Sequence, residues 1–327
     1  MKKNTLIKSQ EGIILMKSSR KNLLVLAVVC VMVISFSMVA AADFVPIEDR
    51  GYANPDVLIS ADELTEIMDR DDVKIVDFRN MAQYMTGHVP GATNVWRSDQ
   101  ENPDAEFAGM RATPEQMEAM LSAKGIAEDD LVVIYDAKGD YDASRMWWIL
   151  TMYGHEKVRL LDGGLERWKA LDKDTAILPS SYDETDYSFD ESKFNLSMFA
   201  TTEDVEQALD NDTALILDTR SEAEHTGEQL KSGAERKGCI PGSVWVEWKE
   251  NLNDDLTFKS AEDLRAIYGE HVEGKDVIIA YCQSAVRSSH STFVLTQLLG
   301  VDAKVQNYDG SWIEWSANED LPIENGE

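Results

Sequence analysis

The sequence predicts two tandem α/β domains, each a small, mainly parallel sheet flanked by helices. Two observations support this: four blocks occur twice in the same order, and within each copy short apolar runs alternate with amphipathic stretches. The paired blocks are KIVDFRN (74–80) and LILDTRS (215–221), GHVPGATNV (87–95) and GCIPGSVWV (238–246), VVIYDAKG (132–139) and IIAYCQSA (278–285), and LLDGGLERW (160–168) and NYDGSWIEW (307–315). So long a period indicates a duplicated domain rather than a solenoid, and alternating strands and helices indicate parallel sheets.

The first copy shows how local patterns predict its elements. Residues 74–77 and 131–135 contain short runs of β-branched and apolar residues, which are typical of buried strands. Residues 113–125, TPEQMEAMLSAKG, combine a Thr cap, a proline in the first turn, helical apolar spacing and a closing glycine, so they predict a helix. The second copy repeats this pattern in SAEDLRAIYGE (260–270).

These patterns place the first domain at 50–172 and the second at 200–322, joined by a linker at 173–199. The linker region is polar, acidic and weakly periodic, and it is expected to run over the surface. Before the first domain, an uncharged run of 20 residues (23–42) follows three basic residues and ends in three alanines. Residues 1–42 therefore predict a signal peptide, with an uncleaved N-terminal anchor as the alternative. Either reading predicts an exported protein, secreted or held at the membrane by residues 23–42.

Composition excludes several classes of function. The chain has 31 Lys and Arg against 60 Asp and Glu, and no basic face that could follow a phosphate backbone, so nucleic acid is not an expected partner. The five histidines are scattered, and CxxC, HExxH, GxGxxG and Walker motifs are absent. We therefore expect neither a metal nor another cofactor, and we expect a monomer.

Chemistry is concentrated at Cys282, which stands where the predicted strand 277–281 ends. In parallel α/β sheets, binding sites form at the carboxyl ends of strands. The turn 282–287 is small and polar, and a helix with a Ser cap is predicted in SSHSTFVLTQLLG (288–300). The helix N-terminus and Arg287 favour a negative charge on the sulfur, which indicates a nucleophilic thiolate. A buried structural cysteine is the alternative, but it would not need a polar turn followed by an arginine.

With these motifs, the chain resembles the tandem-domain rhodaneses, a family of thiosulfate sulfurtransferases. The resemblance covers about residues 50–320, through the DFR and DTR blocks, the GHVPGA-type turns, the loop YCQSAVRSS and the closing NYDGSW. It implies two rhodanese-like domains, the second being catalytic and its cysteine taking up a sulfane sulfur as a persulfide. It also implies that the first copy is inactive, in agreement with Asp136 at the position of the cysteine.

The loop suggests which substrate the site accepts. Four residues separate Cys282 from Arg287, one fewer than in cysteine phosphatases, so the ring of N–H groups suits a single sulfur better than a phosphoryl group. We expect the backbone of Gln283, Ser284, Ala285 and Val286 and the Arg287 guanidinium to bind the substrate. Loops of the mercaptopyruvate type resemble CGSGVT, with a hydroxyl residue where this chain has Arg287, which favours the dianion thiosulfate as donor.

The predicted function is therefore transfer of a sulfane sulfur from a small anionic donor, thiosulfate, through a Cys282 persulfide to a thiophilic acceptor such as cyanide. A 3-mercaptopyruvate sulfurtransferase and a non-turnover sulfur carrier remain alternatives. Glu224 stands where vertebrate-type relatives have a substrate-binding arginine, which leaves Arg287 as the main candidate for that contact. Cys239 replaces a histidine common among relatives and is interpreted as a packing substitution, with a resolving thiol as the alternative.

Other conspicuous residues are assigned structural roles. Arg79 and Arg220 recur in both copies, including the one without the cysteine, so each is expected to form a structural ion pair. Trp147 and Trp148 are expected in the core or at the domain interface. His290 lies two turns into the helix after Cys282 and is expected to take no part in the chemistry.

Overall fold

The computed structural model describes residues 45–326 and contains two five-stranded parallel sheets, which confirms the predicted α/β fold class. The first sheet comprises β1 (Leu58–Ile59), β2 (Val73–Asp77), β3 (Thr93–Asn94), β4 (Leu131–Tyr135) and β5 (Val158–Leu161), in the order β1-β5-β4-β2-β3. The second comprises β6 (Phe199–Ala200), β7 (Ala214–Asp218), β8 (Val244–Trp245), β9 (Val277–Tyr281) and β10 (Lys304–Tyr308), in the order β6-β10-β9-β7-β8. The two orders are equivalent, as a duplication requires.

Helices flank each sheet. Those of the first copy are α1 (Ala61–Ile67), α2 (Met81–Tyr84), α3 (Pro114–Ala123), α4 (Tyr141–Met152) and α5 (Gly164–Ala170). Those of the second are α6 (Thr202–Leu209), α7 (Glu222–His225), α8 (Ala261–Val272), α9 (Val286–Phe293) and α10 (Ser311–Ala317). The predicted segment 1–42 lies outside the described residues. Among residues 45–326, no helix is long and apolar enough to cross a membrane.

Local capping explains where several helices begin. Thr113 caps α3 by accepting the Gln116 N–H while the Gln116 side chain accepts the Thr113 N–H, which is the predicted start of that helix. Ser260 caps α8 by accepting the Asp263 N–H, and its hydroxyl donates to the Asp263 carboxylate.

The predicted Ser cap of the helix after Cys282 is wrong. Helix α9 already begins at Val286, because Ala285 adopts a left-handed conformation (φ 55°) that turns the loop directly into the helix. The serines lie inside the helix, where the Ser289 hydroxyl donates to the Ala285 carbonyl at 2.6 Å. The helix N-terminus therefore lies closer to Cys282 than the sequence indicated.

The two copies pack against each other through α4 and α9 and form one compact unit. Trp147 of α4 meets Phe293 of α9 edge-on, with ring centroids 4.8 Å apart, and Trp148 is fully buried, so the structural role predicted for both tryptophans is confirmed. A buried ion pair joins Arg145 of α4 to Asp309, which follows β10. The turn after β4 and the turn after β9 are thereby held on the same side of the interface.

The chain between the sheets lies over the first copy. Ala176 pairs with His88 in an isolated antiparallel bridge, and the Thr185 and Tyr187 N–H groups donate to Ser122. The Tyr182 hydroxyl donates to the Gly91 carbonyl at 2.5 Å. These bonds explain how residues 176–187 are ordered without a helix or a strand of their own.

Equivalent buried ion pairs follow β2 and β7. Arg79 binds Asp77 and Arg220 binds Asp218, each pair at 2.6 Å, and each arginine also donates to the carbonyl of a glycine in the following turn. The pairs fix the turns after the strands in both copies. The predicted structural ion pairs are confirmed.

Candidate active site

Cys282 lies at the carboxyl end of β9 and is the first residue of the loop that leads into α9. Its side chain is 1% exposed, and that exposed edge lines a cavity of about 820 Å³. The cavity lies between the two copies. A thiol at this place is shielded from bulk water and open only to molecules that enter the cavity.

The chain following β10 holds the loop around Cys282. The Ser311 hydroxyl oxygen accepts the N–H groups of Cys282 (3.2 Å) and Ala285 (3.0 Å). In return, the Trp312 N–H donates to the Cys282 carbonyl at 3.0 Å, and the Ile313 N–H donates to the Gln283 carbonyl at 3.1 Å. These four bonds tie the loop to the start of α10, so the loop is rigid before any ligand binds.

The surroundings of Cys282 favour its thiolate. Burial alone would raise the pKa of the thiol, but the Arg287 charge and hydrogen bonds from Ser288 and Ser284 outweigh it, so the pKa lies below its ordinary value. Because the Ser288 hydroxyl already donates to Asn307 at 2.6 Å, we assign the bonds to the backbone N–H groups. The sulfur therefore carries negative charge at neutral pH more readily than a free cysteine.

Arg287 forms an ion pair with Glu224, a residue for which the sequence pattern indicates no partner. The guanidinium donates to both carboxylate oxygens, at 2.7 and 2.8 Å, and Lys231 approaches the same carboxylate at 3.1 Å. Glu224 is 1% exposed. Burial alone would raise its pKa, yet Arg287, Ser221 and Lys231 hold the pKa at about 2. The carboxylate orients Arg287 and offsets part of its charge, while Arg287 still lines the cavity beside Cys282.

The other predicted binding residues occupy distinct places around the loop. Gln283, Ser284 and Val286 line the cavity with Cys282. The Gln283 side chain also donates to the Ser232 carbonyl at 3.2 Å, and Ser284 packs closely against Gly109 of the first copy. Ala285 does not line the cavity, and its carbonyl accepts from Asn307 and Ser289. Ala285 thus shapes the loop through its left-handed backbone.

The cavity is cationic, although the whole chain carries a net charge of −29. Two lining residues are acidic, Glu247 and Asp254. Five are basic: Arg97, Lys138, Lys231, Lys249 and Arg287. Glu224 offsets part of the charge of Arg287 and Lys231, and Asp142 offsets part of that of Arg97. Basic residues still outnumber acidic ones at the cavity wall, which favours the approach of small anions to Cys282.

Asp136 occupies the cysteine's position in the first copy and is enclosed by its own loop. Its carboxylate accepts the N–H groups of Lys138 (2.7 Å), Asp140 (2.9 Å) and Asp142 (2.9 Å). Burial and the nearby Asp142 charge nevertheless raise the pKa of Asp136 to about 6. The loop of the first copy is therefore ordered around a carboxylate at the position where the other copy has the Cys282 thiol.

Cys239 lies apart from the loop around Cys282, in the connection between α7 and β8. It is fully buried, its backbone pairs with Glu324, and its thiol, like that of Cys282, is free. His225 contacts both Cys239 and Asp218. Burial alone would lower the pKa of His225, but Asp218 and Cys239 raise it to about 9. The contacts of Cys239 support the packing interpretation.

His290 is buried in the core beside the site. Its ring stacks on Phe258 with centroids 4.9 Å apart, and Nδ1 contacts the Asn251 amide at 3.2 Å. Burial lowers the pKa of His290 to about 3, so the ring is neutral. These contacts support the interpretation of His290 as a core residue.

Sequence reasoning missed several residues that build the site. Ser311 stands in the repeated block NYDGSW, where the first copy has Gly164, and this difference between the copies was a usable signal. Nothing in the sequence pattern links Glu224 to Arg287, its ion-pair partner. Arg97, Lys138, Tyr141 and Trp248 reach the cavity only because the copies face each other, and no local pattern marks them.

Comparison with known proteins agrees with this architecture. A family model described as "Rhodanese-like domain" matches residues 60–171 and 201–318. A protein of Haloferax volcanii named "Putative thiosulfate sulfurtransferase" is 37% identical over 284 residues, which cover 83% of this chain and 97% of the relative. "Sulfur carrier protein TtuD" of Thermus thermophilus is 36% identical over 294 residues, covering 85% of this chain and 99% of the relative.

Among solved structures, the anaerobic ergothioneine biosynthesis enzyme of Chlorobium limicola, in complex with trimethyl histidine, superposes with a TM-score of 0.73 at 24% identity. The match covers 84% of this chain and 72% of that one. At this identity, the likeness shows a shared fold.

Proposed function

The chain belongs to the rhodanese-like family, and from that premise we propose that it is a thiosulfate sulfurtransferase that carries sulfur as a Cys282 persulfide. One observation supports this most directly: a thiol with a lowered pKa lies in a rigid loop of N–H groups beside Arg287, at the wall of a cationic cavity. Such a site suits a small anionic donor and a sulfur-centred nucleophile.

In the first half-reaction, the Cys282 thiolate attacks the outer sulfur of thiosulfate. A bond forms between the two sulfurs, the S–S bond of thiosulfate breaks, and its electron pair leaves with sulfite. Arg287 is placed to bind the sulfite oxygens, because guanidinium groups present paired donors to oxyanions. The product is a persulfide whose terminal sulfur is stabilised by the loop N–H groups.

In the second half-reaction, a nucleophile such as cyanide attacks the terminal sulfur of the persulfide. The S–S bond breaks and its electron pair returns to Cys282 as thiolate, while the acceptor leaves with the sulfur. The cycle is two-step covalent catalysis, and this chain's own residues supply each step.

A sulfur-carrier role is the second candidate, and it is supported by the similarity to a protein named as a sulfur carrier. The two roles differ in turnover. A carrier takes up one sulfur per chain and then stalls with small acceptors, whereas an enzyme produces sulfite and product continuously. A 3-mercaptopyruvate sulfurtransferase would use the same cysteine with another donor.

The direct test is mass spectrometry of residues 43–327 after incubation with thiosulfate. We expect one added sulfur, removable by cyanide, and continued release of sulfite when both substrates are present. Cys282→Ala should abolish the added mass, and Cys239→Ala is the matched control that should retain it. Sulfur retained by the Cys282→Ala protein would contradict the proposal.

We further propose that residues 1–42 direct export, with anchoring by residues 23–42 if they are not cleaved. The apolar run and its preceding basic residues support this. Cell fractionation of the full chain, with N-terminal sequencing of the recovered protein, tests it. Recovery of the intact chain only in the cytoplasm would contradict it.

A further inference from the structure

The cavity is larger than the proposed donor requires. Its volume of about 820 Å³ falls within the roughly 300–1,000 Å³ of pockets that enclose organic ligands. Thiosulfate and cyanide are each only a few atoms in size. Residues of both copies line the cavity.

Three residues of the first copy's loop line the cavity: Ala137, Lys138 and Tyr141. Tyr141 is the first residue of α4, as Val286 is of α9, and its ring packs against Trp248 of the second copy, with centroids 4.7 Å apart. Lys138 is exposed at the cavity and lies 5.9 Å from the Tyr141 ring centroid. Within residues 45–326, no carboxylate forms an ion pair with Lys138. Its charge acts electrostatically on the nearby Asp142, without a direct ion pair to that carboxylate.

Arg97 adds a second cation from the first copy. Its Nε donates to Asp142 at 2.7 Å and its Nη2 donates to the Tyr141 hydroxyl at 3.2 Å, so the guanidinium is held in place. Its side chain is 33% exposed. Burial alone would lower the pKa of Arg97, but Asp142, Tyr141 and the thiolate of Cys282 raise it. The guanidinium is thus within electrostatic reach of the reacting sulfur.

Apolar side chains form another part of the cavity wall. Trp248, Leu252 and Leu256 of the second copy line it together with Tyr141. A pocket with an apolar wall and a few fixed charges is the usual arrangement for an organic anion. Cyanide would make no use of either feature.

We propose that Lys138, Arg97 and Tyr141 form an acceptor subsite, and that its occupant is an organic thiol bearing a carboxylate. The inference rests on the proposed function, since it assigns the molecule that removes sulfur from Cys282. The carboxylate binds Lys138 and Arg97, and the carbon chain packs on Tyr141 and Trp248. The silent copy is then the part of the protein that selects the acceptor.

The transfer step balances without any further reagent. The acceptor thiolate attacks the terminal sulfur of the Cys282 persulfide and forms a new S–S bond. The bond between Cys282 and that sulfur breaks, and its electron pair restores the Cys282 thiolate. The acceptor leaves as a persulfide, so one sulfane sulfur has moved and no net oxidation has occurred.

The test measures sulfur transfer to the acceptor separately from the loading of Cys282 by the donor. Cys282 is loaded with sulfur by inorganic polysulfide as well as by thiosulfate, and the decay of the persulfide is followed in single turnover. The two acceptors are 3-mercaptopropionate, which carries a carboxylate, and the neutral 2-mercaptoethanol of similar size. Each rate constant is divided by that for a small-molecule persulfide at the same pH, which removes the intrinsic reactivity of the thiol.

We expect the corrected rate constant to favour 3-mercaptopropionate by at least about fivefold, which corresponds to a surface ion pair of about 1 kcal/mol. Lys138→Gln and Arg97→Gln should each bring the ratio of the two corrected rate constants close to one. Arg97→Gln should in addition slow both thiols somewhat, because its charge reaches the Cys282 sulfur. Lys169→Gln is the matched control, because Lys169 is an exposed lysine of the same copy outside the cavity.

Equal corrected rates for the two thiols, or variants that slow both equally, would overturn the subsite. Failure of the proposed function gives a different result, namely no persulfide from thiosulfate while polysulfide still loads the chain.

Discussion

Replacing Arg287 by alanine removes a cation beside Cys282 and also leaves the buried Glu224 without its main partner. The two effects are separable, because Glu224→Gln removes the carboxylate charge and nearly keeps its shape. A cycle of Arg287→Ala, Glu224→Gln and the double variant therefore distinguishes a catalytic contribution of Arg287 from a structural one.

The structure sets the size of the structural effect. A carboxyl with a pKa of about 2, against 4.5 when free, gains about 3 kcal/mol from its surroundings. Solvent near Lys231 screens part of this, and Lys231 and Ser221 remain in the variant. We expect Arg287→Ala to lower the free energy of unfolding by about 2–3 kcal/mol, and the double variant to recover most of that loss.

The catalytic effect should not recover. Without Arg287, the pKa of the Cys282 thiol rises and the sulfite oxygens of the donor lose their paired N–H groups. We expect kcat/KM for thiosulfate to fall by roughly 30- to 150-fold, or about 2–3 kcal/mol, in both the single and the double variant. With mercaptopyruvate the fall should be smaller, and the wild-type protein should prefer thiosulfate.

Three measurements check this reasoning: urea unfolding, the pH dependence of Cys282 alkylation, and steady-state kinetics with both donors. The alkylation midpoint should move to higher pH in every variant that lacks Arg287. Recovery of thiosulfate turnover in the double variant would refute it, since Arg287 would then act only by neutralising Glu224. Equal losses with both donors would refute the argument for donor preference.

Two further predictions concern groups outside the reaction. Asp136→Ala should leave turnover within a few-fold of wild type and lower the free energy of unfolding by about 1–2 kcal/mol in urea titrations. The loop N–H groups lose their acceptor, but the buried charge of that acceptor is itself costly, which limits the loss. Collapse of turnover in the folded variant would contradict this. His225 has a folded pKa of about 9 against 6.5 when free, so its stabilising contribution is complete below pH 6.5 and is lost as pH rises through 9. The free energy of unfolding, measured in urea, should therefore fall by about 1–2 kcal/mol across that pH range in wild type, a figure reduced for the partial exposure of His225. It should not fall in this way in His225→Gln. Parallel pH profiles of the two proteins would count against the ion pair with Asp218.

Local signals in the sequence determined the fold class and the position of the proposed nucleophile. Strand 277–281 was predicted at the bounds that β9 has, because apolar runs and turn residues encode strands through neighbours a few positions apart. The position of Cys282 at the strand end followed from the same pattern. The start of α9 was missed because a left-handed alanine at position 285 has no local signature.

Tertiary structure alone decided what surrounds Cys282. Glu224 and Arg287 are 63 positions apart, and Ser311 reaches the Cys282 N–H from the end of another strand. Arg97 and Tyr141 face the cavity only because α4 packs against α9. Sequence patterns fix each chain segment through short-range geometry, whereas the meeting of distant side chains depends on how the two copies bury their apolar faces against each other.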